Sequence, residues 1–127
     1  MDKIVYYYIP LYWELIKAFA FTAILTAATE TLFFYFLKYS KKHFLIFIFL
    51  INIFTNIILN IFISFAKIKT HTVLYAEIIV ILVEYFLILL YLKPNLKNSL
   101  ILLIQTTFAN ILSYSIGILW FSLTGTI

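Results

Sequence analysis

The sequence predicts an all-α integral membrane protein, an up-down bundle of four transmembrane helices built as two tandem helical hairpins. Two observations lead to this fold class. Of the 127 residues, 65% are hydrophobic and only 11% are charged, whereas soluble domains are about a quarter charged. The apolar residues also form four long runs separated by short stretches that contain lysine. We therefore expect one transmembrane domain over residues 1–127.

The four apolar runs are long enough to span a bilayer, because a helix needs about 20 apolar residues to cross the hydrocarbon core. The predicted spans are 17–37, 44–66, 72–92 and 99–123. The stretches KYSKKH, KIKTH and KPNLKN connect them, and connections this short make consecutive helices antiparallel. Runs such as HFLIFIFLINIF lack the polar face of a soluble amphipathic helix.

Residues 1–15 differ from the spans because they are rich in aromatic side chains that prefer the membrane interface. These residues are Tyr6, Tyr7, Tyr8, Tyr12 and Trp13. Pro10 suits the first position of a helix that continues into the first span. We predict an interfacial anchor that lies along the membrane, and a lid or substrate gate is the alternative.

The lysines are almost evenly divided between the two sides of the predicted bundle. The first and third connections contain Lys38, Lys41, Lys42, Lys93 and Lys97, and the opposite side contains Lys3, Lys17, Lys67 and Lys69. A fixed orientation usually shows a clear excess of lysine on the cytoplasmic side. The small excess of lysine in the first and third connections favours an orientation with both termini outside. Insertion of the protein in both orientations is the alternative. The abundance of Ile, Phe, Asn and Lys suggests an AT-rich bacterial genome, and hence a bacterial cytoplasmic membrane.

A shift of 54 residues aligns the first hairpin with the second and superimposes rare polar residues. Glu30 falls on Glu84 and Asn56 falls on Asn110. We predict parallel repeats over 17–66 and 72–123, because a two-helix unit returns the chain to its starting side. Parallel repeats occur in transporters, whose binding sites lie near the midplane between repeats.

Each predicted span has one polar stripe at helical spacing. The stripes are Thr22, Thr26, Thr29 and Glu30; Asn52, Thr55, Asn56 and Asn60; Glu77, Glu84 and Tyr91; and Thr106, Asn110, Ser113, Tyr114 and Gly117. Hydrocarbon offers no hydrogen-bond partners, so the four stripes must face one another. The sequence thus predicts a polar bundle interior.

Counting along the helices places the polar residues at defined depths. At about 1.5 Å per residue, Glu30 and Glu84 lie about 12–13 Å from the lysines that follow their spans. The same count makes Glu30 level with Asn52, and Glu84 level with Gln105 or Thr106. Residues 56 and 110 fall one turn deeper, and residue 77 falls nearer the opposite surface.

The glutamates are the leading candidates for a functional site. An ionised carboxylate in hydrocarbon costs about 2.5 kcal/mol or more, so the neutral acid is the expected resting form. A neutral acid can both donate to and accept from an amide side chain. The proposed proton-, cation- or substrate-binding residues are Glu30, Glu84, Glu77, Asn52, Asn56, Asn110, Thr26 and Gln105. For the amides and hydroxyls, interhelical hydrogen bonding at about 0.6 kcal/mol per bond is the favoured role, and direct participation in the site is the alternative.

The composition argues against several classes of site. There is no cysteine, and His43 and His71 fall in predicted connections, so we expect no metal, no cofactor and no catalytic residue. All nine cationic side chains are lysines, which lack the planar fork of arginine, so we expect no nucleic-acid partner.

The function that the sequence favours is proton- or cation-linked transport or conduction of a small solute. Four helices are too few to enclose a large pathway, so we expect a homodimer in the lipid bilayer. The alternative is a non-catalytic membrane subunit that docks a larger membrane partner. An intramembrane enzyme is the least supported class, because no span contains cysteine or histidine. The residues do not identify the substrate.

Overall fold

The computed structural model describes the backbone of residues 2–66 and 70–124, and the side chains of residues 13–14, 16–63, 74–120 and 122–123. Within these residues the chain forms four helices, which are α1 Asp2–Phe36, α2 Lys42–Ala66, α3 Thr70–Leu92 and α4 Leu96–Thr124. The connection 67–69, with Lys67 and Lys69, lies outside the described residues, as do the side chains of Tyr6, Tyr7, Tyr8, Tyr12 and His71.

Each helix contains a segment that is long and apolar enough to cross a membrane. These segments are Ile16–Phe36, Lys42–Ile63, Leu74–Leu92 and Leu96–Trp120. They overlap the four predicted spans along nearly their whole length. The prediction of an all-helical protein with four such helices is confirmed.

The helices extend beyond the predicted spans into the polar stretches. Pro10 lies inside α1 and not at its first position. His43 and His71 lie in the first turns of α2 and α3 and not in connections. The fourth helix begins three residues early, because Asn95 Oδ1 accepts the backbone N–H of Asn98 at 3.0 Å and caps α4.

Each helix packs against two others in a closed ring, α1 with α2 and α4, and α3 with α2 and α4. The side-chain contacts show that neighbouring helices run antiparallel, since early residues of one meet late residues of the next. Contacting pairs are Phe34 and Phe44, Thr55 and Glu84, Tyr85 and Ser99, and Phe21 and Trp120. The described residues therefore form an up-down four-helix bundle.

A lysine in the left-handed backbone conformation follows the end of α1 and the end of α3. The φ angle is 68° at Lys38 and 46° at Lys93. After α1, Tyr39 N donates to Phe34 O at 3.1 Å, and Lys38 N donates to Tyr35 O at 2.9 Å. This pair of bonds is a Schellman motif, which satisfies carbonyls at the helix end and turns the chain towards α2.

The end of the bundle that contains these two turns is filled by apolar side chains. We call Phe34, Phe44, Ile48, Ile88 and Leu102 the apolar plug, because all five are buried and pack together. The Phe34 ring meets the Phe44 ring edge-on, with 5.8 Å between centroids. The plug closes this end of the bundle interior.

Burial follows the 54-residue shift at several positions. At four positions, the residue in the first hairpin and its counterpart in the second are both buried. The pairs are Glu30 and Glu84, Phe34 and Ile88, Ile48 and Leu102, and Asn52 and Thr106. This correspondence agrees with two hairpins packed in the same way. Duplication of a two-helix unit stays a prediction.

Candidate functional site

Two buried glutamates meet at the centre of the bundle. Glu30 on α1 and Glu84 on α3 are each 1% exposed, although α1 and α3 are not packed against each other in the described part of the chain. The side chain of Asn110 on α4 lies between them. Its Nδ2 atom is 2.7 Å from Glu84 Oε2 and 3.4 Å from Glu30 Oε2. The same nitrogen lies 3.1 Å from Thr106 O, so its two hydrogens serve three acceptors, of which Glu30 is the most distant. The amide group thus bonds closely to Glu84 and makes a longer contact with Glu30.

Each glutamate also contacts a hydroxyl group from the other hairpin. Thr55 Oγ1 on α2 lies 2.6 Å from Glu84 Oε1, and Ser113 Oγ on α4 lies 2.9 Å from Glu30 Oε1. Both hydroxyl residues are buried. We call Glu30, Thr55, Glu84, Asn110 and Ser113 the carboxyl cluster. Its members come from all four helices, so its geometry depends on the whole bundle.

The two hydroxyls allow each carboxyl group to be ionised or protonated without movement of heavy atoms. Thr55 Oγ1 also lies 2.9 Å from Ile51 O, and Ser113 Oγ also lies 3.0 Å from Asn110 O. A hydroxyl has one hydrogen and can accept as well as donate. The hydroxyl donates its hydrogen to an ionised carboxylate. When the carboxyl group is protonated, the hydroxyl oxygen accepts from it, and the hydroxyl hydrogen points to the carbonyl of its own helix. The hydrogen-bond geometry of the cluster is therefore compatible with either protonation state of each carboxyl group.

Asn52 on α2 is buried and interacts electrostatically with Glu30. Its Nδ2 donates to Ile48 O at 3.0 Å. Its Oδ1 is buried and has no hydrogen-bond partner among the described residues. The predicted proximity of Glu30 and Asn52 agrees with this interaction.

The depth count placed Glu84 level with Gln105 or Thr106, but neither of these side chains is hydrogen-bonded to Glu84. Gln105 Oε1 accepts a hydrogen bond from the Tyr39 hydroxyl at 2.8 Å. Thr106 is buried, but its hydroxyl donates to Leu102 O of its own helix at 2.9 Å. Side chains lean towards the N-terminus of their helix, so a level position along the axis does not identify the hydrogen-bond partner. In antiparallel α3 and α4, Glu84 and Asn110 therefore lean towards each other.

A polar cavity of about 230 Å³ adjoins the carboxyl cluster on the side away from the apolar plug. Asn110 and Ser113 belong to both the cluster and the cavity wall. The other lining residues are Thr22, Thr26, Asn56, Leu59, Asn60, Ile63, Glu77, Tyr114, Gly117 and Ile118. The bundle interior is thus polar and open on one side of the glutamates, and apolar and filled on the other.

Three polar side chains in the cavity wall have no hydrogen-bond partner within the part of the chain that the structure describes. They are Thr26 on α1, Asn56 on α2 and Glu77 on α3. Glu77 is half-buried. The prediction that residue 56 lies deeper than Glu30 agrees with its place in the cavity. Asn110 also lines the cavity, and its side chain reaches back to the buried glutamates.

The structure divides the predicted site residues into three groups. Glu30, Glu84, Asn110 and Asn52 lie in or against the carboxyl cluster, Thr26, Asn56 and Glu77 line the cavity, and Gln105 lies outside both. The predicted set omitted Thr55 and Ser113. Each of them follows an amide residue of the site by three positions on the same helix face, and this spacing was the signal that could have found them.

No protein-family model, curated protein or solved structure matches this chain. Among the described residues, no group of three or more His, Asp or Glu side chains is placed to hold a metal ion.

Proposed function

We propose that the four helices span a membrane and that the protein performs proton-linked transport or conduction of a small solute, with the carboxyl cluster as the proton site. The main support is the link between Glu30 and Glu84 through Asn110. Two buried carboxyl groups that share one donor, with no cationic group in hydrogen-bonding contact among the described residues, favour at most one negative charge. Such a pair takes up and releases a proton as a unit.

Membrane insertion is supported by the outer surface of the bundle. Large apolar side chains are more than half exposed on every helix, among them Leu32, Leu50, Leu82 and Ile104. Apolar surface in water costs about 25 cal/mol per Å², and a hydrocarbon environment removes this cost. The proposed location is a bacterial cytoplasmic membrane. Reporter fusions at the C-terminus and in the 93–97 connection would distinguish a single orientation from insertion in both.

One-sided access to the carboxyl cluster supports a transport cycle. The polar cavity leads to the cluster from one side, and the apolar plug separates the cluster from the other end of the bundle. Transporters need a central site that is open to one side at a time. In the proposed cycle, the solute enters through the cavity and the plug must rearrange before it leaves. A single narrow bundle gives little room for this rearrangement, so the proposal includes a homodimer.

The experiment uses purified full-length protein in lipid vesicles that contain a pH-sensitive dye. An imposed pH gradient should drive uptake of candidate cations, and uptake should dissipate the gradient. Glu30→Gln and Glu84→Gln should each abolish this exchange. Glu14→Gln is the matched control, because Glu14 is exposed and forms an ion pair with Lys17 at 2.7 Å.

Wild-type exchange in the Glu30→Gln, Glu84→Gln double variant would overturn the proposed proton site. Size-exclusion chromatography of each variant separates loss of activity from loss of folding. If gently extracted protein purifies with a stoichiometric larger partner and is inactive alone, a non-catalytic membrane subunit becomes the better description.

A further inference from the structure

We propose that the polar cavity binds a small organic ammonium ion, with Glu77 as its counter-ion. This inference rests on the proposed function, since it names the class of solute that would be exchanged for protons. Glu77 is the one formally charged side chain among the described residues of the cavity wall. Its carboxylate has no hydrogen-bond partner among them, so a bound cation would complete the site.

The hydrogen-bonding groups of the cavity suit an ammonium group. An ammonium ion has three donors and no acceptor. The Glu77 carboxylate, the Thr26 hydroxyl and the Asn56 amide oxygen can all accept, and none of these side chains has a hydrogen-bond partner within the described chain. They come from three different helices, so their acceptors approach the cavity from three directions.

The size and the apolar part of the wall favour an organic ion over an inorganic one. A cavity of about 150 Å³ in another protein holds benzene, and this cavity has a volume of about 230 Å³. Leu59, Ile63 and Ile118 form apolar sections of the wall. These surfaces can cover an alkyl group while Glu77 neutralises the charge.

The cavity and the carboxyl cluster adjoin each other, because Asn110 and Ser113 line the cavity and also contact the buried glutamates. A charge at Glu77 therefore acts on Glu30 and Glu84. The titratable groups around Glu77 within the described chain are Glu30 on α1, Glu84 on α3 and Tyr114 on α4, and α2 contributes only uncharged side chains. A cation beside Glu77 stabilises ionised carboxyl groups, and a proton on the cluster weakens cation binding. By reciprocity of linked equilibria, ammonium and proton binding oppose each other, as exchange requires.

Isothermal titration calorimetry on the purified full-length protein in detergent tests the site without any flux measurement. Butylammonium chloride should bind saturably, whereas 1-butanol and potassium chloride should not. The affinity should increase as the pH rises, because ionisation of the cluster adds negative charge. This pH dependence should weaken in the Glu30→Gln, Glu84→Gln double variant, where Glu77 is the one carboxyl group of the site that still titrates.

Two variants should weaken butylammonium binding about tenfold or more by independent routes. Glu77→Gln removes the charge and keeps the shape. Gly117→Leu fills the cavity, since a Cβ atom at this position meets no atom within 4 Å. Glu14→Gln should bind like the wild type. Size-exclusion profiles identify any variant that fails to fold.

Equal affinity in wild type and a folded Glu77→Gln or Gly117→Leu variant would overturn the site. Absence of saturable butylammonium binding would also overturn it, and equal binding of potassium would refute the organic ammonium class. The proposed proton site is judged separately, by the exchange activity of the Glu30→Gln and Glu84→Gln variants, so either proposal can fail alone.

Discussion

The side-chain nitrogen of Asn110 lies 2.7 Å from Oε2 of Glu84, and the two residues are 26 positions apart in consecutive helices. The same nitrogen lies 3.1 Å from Thr106 O. This second bond fixes the amide orientation, because a flipped amide would place its oxygen against two acceptors. Asn110 therefore remains a donor to the carboxyl cluster.

Asn110→Leu should lower the free energy of unfolding by about 2–3 kcal/mol and abolish proton-linked exchange. The change removes the one donor shared by both glutamates, and buried acceptors left without partners carry a desolvation cost. Thermal unfolding in detergent measures the loss of stability. Asn98→Ala, at an exposed position of the same helix, should change stability by less than about 0.5 kcal/mol. Equal stability of the two variants would contradict the assigned role of Asn110.

Thr55→Val and Thr106→Val form a matched pair, since both hydroxyl groups are buried. Thr55→Val should cost about 1.5–3 kcal/mol, because Glu84 Oε1 loses a donor in a charge-assisted bond. Thr106→Val should cost less than about 1 kcal/mol, because its hydroxyl contacts only a carbonyl of its own helix. Chemical unfolding of both variants tests this difference. A larger loss for Thr106→Val would show that the Thr55 hydroxyl does not support Glu84.

Infrared spectroscopy at neutral pH should show that Glu30 holds the proton of the pair. Glu84 accepts two short bonds, of 2.6 and 2.7 Å, whereas those to Glu30 measure 2.9 and 3.4 Å. The carbonyl band of a protonated carboxylic acid should disappear in Glu30→Gln and persist in Glu84→Gln. The reverse pattern would assign the proton to Glu84.

Gln105→Leu should reduce stability by about 1 kcal/mol without affecting exchange activity. The substitution removes the 2.8 Å bond from the Tyr39 hydroxyl, which joins the α1–α2 connection to α4. Tyr39→Phe should have the same effect, and the double variant should add little, because both changes break one bond. Loss of exchange activity in Gln105→Leu would show that Gln105 belongs to the functional site.

Phe34→Ala should destabilise the protein by about 3–5 kcal/mol and increase passive proton leakage through the reconstituted protein. Phe34 is fully buried in the apolar plug, with its ring against Phe44 and Tyr39. Removing the ring leaves a void between the carboxyl cluster and the closed end of the bundle. Phe36→Ala is the control, because Phe36 is 77% exposed. Unchanged leakage in a folded Phe34→Ala variant would show that the plug is not the barrier.

Sequence reasoning was most successful where the physical signal is local. The length of an apolar run and the lysines that end it lie in consecutive residues, so four helices could be predicted from them. The helix boundaries were less accurate, because capping by Asn95 and the tolerance of α1 for Pro10 depend on backbone geometry. The inward direction of the polar stripes was also predictable, because polar groups avoid an apolar exterior.

The identity of each hydrogen-bonded pair could not be read from the chain. Spacing along one helix placed Glu30, Glu84 and Asn110 on inward faces. Which donor meets which carboxyl group depends on the offset between antiparallel helices and on the lean of each side chain. For this reason the depth count placed Gln105 level with Glu84 without identifying its bond to Tyr39, and the predicted site omitted Thr55 and Ser113. Composition and periodicity predict a polar interior, whereas the packing of four helices creates the shared amide, the adjoining cavity and the plug.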